Sequence, residues 1–189
     1  MILLTKEQFE KQSKHFEKDI REKPIVFIYP TDTIYGIGCN ATNKQAVEKI
    51  RKIKQRPENP FSIIVPSKGW IEEFCVVNEN ARSWIKRLPG PYTLILPIKK
   101  QILAENVAPN RNAMGIRIPD HWFSDYAQIW NIPIVSTSAN LSRKPFMTSL
   151  DDLEPSIKEQ IDFIIYDGPK NSKPSKIIDL TDKEKVIER

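Results

Sequence analysis

Hydroxyl, amide and cationic side chains gather at a few places along this sequence, and their types already restrict the chemistry. Thr31 and Thr33 flank Asp32, and Lys54 and Arg56 are one residue apart. Thr93 follows a Pro-Gly-Pro turn, Arg117 lies between two isoleucines, and Ser136, Ser138 and Asn140 alternate. Groups of this kind bind phosphate and carboxylate oxygens through charge-assisted hydrogen bonds. They catalyse by holding reactants in line and neutralising the charge that builds on a transferred group, which points to phosphoryl or nucleotidyl transfer. Taken singly, the threonines, serines and asparagines read as turn and helix-cap residues. Their joint placement argues for a site. Lys54 and Arg56 argue for one too, since two cations so close repel each other unless an anion lies between them.

Several alternatives are excluded by what is missing. The sequence contains no Gly-x-x-x-x-Gly-Lys-Ser/Thr phosphate loop, no Gly-x-Gly-x-x-Gly dinucleotide turn, no His-Glu-x-x-His and no Gly-x-Ser-x-Gly elbow. Of the two histidines, His15 falls on the exposed side of a helix, which leaves His121 alone for any histidine-based triad. Cys39 and Cys75 are too few and too far apart for a disulfide framework or a zinc cluster, and suit a reducing cytoplasm. No apolar run reaches the ~20 residues of a membrane span, and Met1-Ile2-Leu3-Leu4 gives way at once to Thr5-Lys6-Glu7, unlike a signal peptide. With 29 basic and 24 acidic residues the net charge is +5, which favours anionic partners such as nucleotides or RNA.

The elements that must position these groups follow from periodicity. Val26 to Tyr29 reads as a strand ended by Pro30, which has no amide proton to donate, and Thr31 to Gly38 as the loop that follows. Ala46, Val47, Ile50 and Ile53 mark the buried stripe of a helix that stops at Pro57, with Lys49, Arg51 and Lys52 in solvent. Thr5 caps a first helix that buries Phe9, Ser13, Phe16 and Ile20. Strands are expected at 61–65, 93–97, 114–118, 132–136, 163–166 and 177–180, with Ile116 and Ile118 facing the core and Arg117 facing the other way. Helices are expected at 70–74, 80–88, 122–130 and 149–157, with a short one near 102–106. Strands and helices interleave without strict β-α-β repetition, internal repeat or linker. The fold class is therefore α/β, a single domain over 1–189 with a twisted, mixed parallel and antiparallel open sheet flanked by helices. In such a sheet the polar clusters, Arg117 excepted, are expected at the carboxyl ends of strands.

Five ordered stretches then resemble one family. Pro30 to Gly38, Lys54-Gln55-Arg56-Pro57, Pro89-Gly90-Pro91-Tyr92-Thr93, Gly115 to His121 and Ser136-Thr137-Ser138-Ala139-Asn140 are similar, in order, to the signatures of the YrdC family, including its Lys-x-Arg and Ser-x-Asn pairs. The resemblance covers nearly the whole chain. It implies a nucleotidyltransferase of the threonylcarbamoyl-AMP synthase type, which makes threonylcarbamoyladenylate and pyrophosphate from ATP, L-threonine and bicarbonate, with Mg2+ accompanying ATP. The product serves threonylcarbamoyladenosine formation in tRNA, so tRNA or double-stranded RNA contact and downstream threonylcarbamoyl-transfer proteins are implied partners.

Position by position, the resemblance makes Lys54 and Arg56 the catalytic cations. It assigns Thr31, Thr33, Arg117, Ser136 and Ser175 to the threonine or its carbamate. Arg56, Asn59, Thr93, Ser138, Asn140 and Arg189 are assigned to the nucleotide. Three positions depart from the family pattern: Arg143 stands where a glycine follows serine, Phe146 where a small hydroxyl residue is common, and Lys176 where threonine is usual. The sequence ends at Arg189, before the carboxyl-terminal domain of longer members. Two other readings fit parts of the same residues. A non-catalytic double-stranded RNA or tRNA binding module accounts for the charge but leaves Thr31, Thr33, Ser138 and Asn140 without a task. An ATP-dependent ligase for another small amino acid would use the same site.

Overall fold

The structure is a computed structural model that describes residues 1–187. Ten strands form one sheet: β1 (Ile2–Leu4), β2 (Phe27–Tyr29), β3 (Gly36–Gly38), β4 (Ser62–Ile64), β5 (Tyr92–Pro97), β6 (Ala113–Arg117), β7 (Ile134–Ser138), β8 (Phe163–Ile165), β9 (Lys176–Asp179) and β10 (Lys185–Ile187). Their order across the sheet is β1-β8-β2-β3-β7-β4-β6-β5-β9-β10. The pairs β1/β8, β2/β8, β4/β6 and β5/β9 are parallel, and the rest are antiparallel. The mixed open sheet expected from the sequence is what forms.

Strand alternation sorts side chains onto two faces. On one face Ile28, Ile37, Ile63, Leu94, Leu96, Ile116 and Val135 meet α2 (Lys44–Lys54), α3 (Lys68–Phe74) and α4 (Glu79–Lys86) in the larger core. Half of the opposite face carries Phe27, Tyr29, Ile64, Ile134, Phe163 and Ile165, which pack against α1 (Lys6–Glu22) and α5 (Ser124–Ile129) through Phe9, Phe16, Phe123 and Trp130. The register leaves the other half polar. Ser62 pairs with Ser136, and Gly36 with Ser138, while Gly115, Arg117 and Thr93 occupy the same face of β6 and β5. The site is thus the part of this face that the aromatic layer does not cover.

Local chemistry explains where the elements lie. Thr5 closes a capping box with Gln8 at the start of α1, and Asn43, Ser67 and Asn78 cap α2, α3 and α4. A third strand, Gly36–Gly38, forms within the segment expected as loop, because both glycines let Tyr29 lie flat across them. A Cβ on Gly38 would stand 2.6 Å from the Tyr29 ring and 2.9 Å from the Val135 carbonyl oxygen. β7 starts two residues later than expected, after Pro133, and runs through Ser138. The helix expected over 149–157 is instead a 3-10 turn at Leu150–Asp152 and a four-residue α6 (Pro155–Lys158), since Pro155 can only start a helix. The edge strands β1 and β10 carry too few residues to show a period and were not expected.

Candidate functional site

Thr31, Thr33, Ser62, Thr93, Arg117, Ser136, Ser138 and Ser175 line one cleft on the polar half of the sheet. Thr31 and Thr33 both face the cleft from a bend over 32–34. The Thr33 amide donates to Thr31 Oγ1 at 3.1 Å, and Thr31 Oγ1 donates to the Ile34 carbonyl at 2.7 Å. That commits the Thr31 proton, so the 3.0 Å contact between the two hydroxyls has Thr33 as its donor. Arg117 Nη2 in turn donates to Thr33 Oγ1 at 3.3 Å and to Asp32 Oδ1 at 3.1 Å, and Asp32 Oδ2 accepts from the Asp120 amide. Arg117 is 7% exposed, burial pushes its pKa down, and among the described residues its Nε has no partner. A buried donor without a partner is costly.

Across the cleft, Thr93 Oγ1 lies 2.8 Å from Ser175 Oγ, brought together because β5 and β9 are parallel neighbours. Gly115 between them and Ser62 has no room for a side chain, since a Cβ there would meet Ser62 Oγ at 2.5 Å and Thr93 Cγ2 at 3.1 Å. Two buried cations from α2 hold the rim. Lys54, 2% exposed, donates to the Ser138 carbonyl at 2.6 Å, the Asn140 carbonyl at 2.7 Å and Asn140 Oδ1 at 2.8 Å. Burial, then the Arg56 charge, pushes it down to about 7. Arg51 donates to the carbonyls of Asn106, Arg56, Pro57, Asn59 and Val107.

The sequence matches the Sua5_yciO_yrdC family, described as telomere recombination, over residues 19–189. The chain belongs to the Sua5/YciO/YrdC family. A relative from Methanocaldococcus jannaschii, provisionally named a threonylcarbamoyl-AMP synthase, is 41% identical over 187 residues, 97% of this chain and 87% of that one. The crystal structure of P. abyssi Sua5 with L-threonine superposes with a TM-score of 0.83 at 31% identity, covering 95% of this chain and 54% of that one. E. coli YciO superposes with a TM-score of 0.85 at 25% identity, covering all of this chain and 94% of that one. This chain therefore spans about half the length of the solved Sua5.

Within this Sua5/YciO/YrdC fold, seven of the expected residues meet in the cleft: Thr31, Thr33, Thr93, Arg117, Ser136, Ser138 and Ser175. They do not sit at carboxyl strand ends as a group. Thr93 is the second residue of β5, Ser175 precedes β9 and Ser136 is within β7, whereas Arg117, the expected exception, ends β6, because in a mixed sheet neighbouring strands present opposite ends. Lys54 was expected to face a substrate anion, and in this structure its ammonium donates to the Ser138 and Asn140 carbonyls and to Asn140 Oδ1. Asn140 Oδ1 accepts from both Lys54 and Ser138 Oγ, while Arg56 and Asn59 line a second cleft on the far side of that segment. Arg189 lies outside the described residues. His121 pairs with Asp167 at 3.2 Å and accepts from the Phe123 amide, so among the described residues it activates no hydroxyl. Ser62, Tyr35, Gly115 and the salt bridge of Asp32 to Arg117 were not picked out from the sequence. Ser62 carried a signal, as the one polar residue in an apolar strand. Arg51, expected in solvent, is buried beneath the loop it holds.

Proposed function

We propose that this chain is an L-threonylcarbamoyl-AMP synthase, a single domain over 1–189 that takes ATP, L-threonine and bicarbonate to threonylcarbamoyl-AMP and pyrophosphate. The observation that carries the reading is the unpartnered, buried Nε of Arg117 at the base of a cleft otherwise lined with hydroxyls. It fits a carboxylate or carbamate oxygen. Among the described residues the cleft offers no free carboxylate to fix an ammonium, since Asp32 is engaged by Arg117 and the Asp120 amide. An amino acid whose amine is to be carboxylated suits it. Thr33, ordered by Thr31, and the Thr93/Ser175 pair supply hydroxyls for the substrate side chain and carbamate.

The amine of threonine attacks carbon dioxide derived from bicarbonate, loses its proton and becomes a carbamate. A carbamate oxygen then attacks the α-phosphorus of ATP, and the bond to the bridging oxygen breaks to release pyrophosphate. No side-chain nucleophile is needed. Arg117 holds the anionic end of the amino acid, and Lys54 fixes the Ser138 and Asn140 backbone against which the nucleotide is placed. Arg56, with Asn59, receives phosphate charge. Mg2+ would enter with the ATP phosphates as part of the substrate.

The product is a reactive mixed anhydride, which calls for threonylcarbamoyl-transfer proteins and tRNA as later partners. A net charge of +5 suits transient contact with RNA. No described helix is long and apolar enough to cross a membrane, and a cytoplasmic setting fits the substrates. The decisive experiment is pyrophosphate release from MgATP and bicarbonate with L-threonine, with L-serine, and with no amino acid. Release that depends on threonine and bicarbonate is expected. Release by serine at an equal rate would remove threonine as the substrate, and no release from folded protein would remove the enzyme reading.

A further inference from the structure

Among the described residues four that are not glycine have positive φ: Gln55 at 49°, Asn110 at 56°, Asn131 at 49° and Arg143 at 67°. Asparagine tolerates that region, whereas other residues enter it at a cost; Gln55 does so as the left-handed cap of α2. The two that are not asparagine line the same cleft, about 380 Å³, together with Arg56, Glu58, Asn59 and Ser142. That volume falls in the roughly 300–1,000 Å³ range of small-ligand sites. Both walls hang from α2, one through Arg51 on the 56–59 carbonyls and the other through Lys54 on the 138 and 140 carbonyls.

Inside this fixed frame two guanidinium groups line one opening. Among the described residues Arg56 makes a single hydrogen bond, from Nη2 to the Pro60 carbonyl at 3.1 Å, and its Nε is buried without a partner. Burial also pushes its pKa down. Arg143 is exposed and has no hydrogen bond or ion pair among the described residues. Glu58 is the single acid in the lining and offsets one of the two charges. A strained arginine without a protein partner, set with a second under-used arginine in a rigid cleft, is an arrangement for a multiply charged anion.

We propose that Arg143 binds the polyphosphate end of the nucleotide, and the pyrophosphate that leaves it, as the second guanidinium of a clamp whose first member is Arg56. The assignment rests on the nucleotidyl-transfer reading and extends it to a residue that departs from the family pattern. Charge-assisted bonds of this kind are worth roughly 1.5–3 kcal/mol, or about 10- to 100-fold in affinity.

The test is calorimetric binding of inorganic pyrophosphate to the full chain and to Arg143→Gly, which suits the backbone angle and so keeps the fold. A tenfold or greater loss is expected, with a matching rise in the KM for ATP and no change in the KM for threonine. Arg143→Lys should restore part of the loss, and Glu58→Gln should tighten pyrophosphate binding. Unaltered pyrophosphate affinity in Arg143→Gly would overturn the proposal, as would weaker binding in Glu58→Gln. Arg143-dependent pyrophosphate binding by a wild-type chain that releases none from ATP and threonine would support the anion site while removing the reaction assigned to it.

Discussion

Arg117 holds more donors than the described protein groups use, and the proposed reaction has an anion for the surplus. Two hydrogen bonds from Nη2 anchor it to Asp32 and Thr33, and the buried Nε is left over. Arg117→Lys keeps a charge but cannot anchor and reach at once, so the KM for threonine should rise about tenfold or more in a protein that remains folded. Calorimetry with L-threonine alone would check this, and unchanged affinity would place the amino acid elsewhere. Lys54 makes a prediction of a different kind. Its pKa is lowered from 10.5 to about 7, so between those values the unfolded chain binds more protons than the folded one. Stability contributed at Lys54 therefore rises with pH across that window. The stability difference between wild type and Lys54→Met, from denaturant unfolding, should grow between pH 7 and about 10. A flat difference would mean that its three oxygen partners keep the ammonium protonated. The types of these residues were readable in the sequence. Whether a cation meets substrate or backbone was not, because a Lys-x-Arg pair looks the same in both cases.

At the level of elements, α2 is where the segments flanking the second cleft converge, through Arg51 and Lys54. Its apolar stripe was legible from Ala46, Val47, Ile50 and Ile53, yet positions 47, 50, 51 and 54 already follow the same three-and-four spacing. Only the polar identity of Arg51 put it outside, and the structure buries it, like Lys54, by satisfying it with carbonyl groups. Arg51→Met should leave several loop carbonyls without donors and cost about 2–4 kcal/mol. Helicity by circular dichroism should be kept while the KM for ATP rises. Wild-type ATP kinetics in that variant would show that the 56–59 loop holds its shape unaided. The sequence was least informative where a few residues decide the local backbone. Gly36–Gly38 and the edges β1 and β10 are strands of three residues, too short for a period, and their pairing comes from distant partners.

Across the whole molecule, one sheet face carries both the aromatic layer and the site, side by side. Phe9 lies within 6.5 Å, ring centre to ring centre, of Phe16, Trp122, Phe123, Tyr126, Trp130 and Phe163. Phe9→Ala should cost about 3–5 kcal/mol and lower Tm by roughly 6–20 °C. Threonine and ATP kinetics at low temperature should be unchanged, since no residue of that layer lines the clefts. A shift in either KM would show that the two halves of the face are coupled. The sheet order also sets a timetable for synthesis. Ile2 pairs with Phe163 and Leu4 with Ile165, so the first strand has no partner until nearly the whole chain has left the ribosome. At about 5–20 residues per second that wait is roughly ten to thirty seconds. Through that interval Phe9, Phe16 and Ile20 lack Phe163, one of the rings they finally pack with. The nascent amino terminus is therefore the stretch that a chaperone would have to shield.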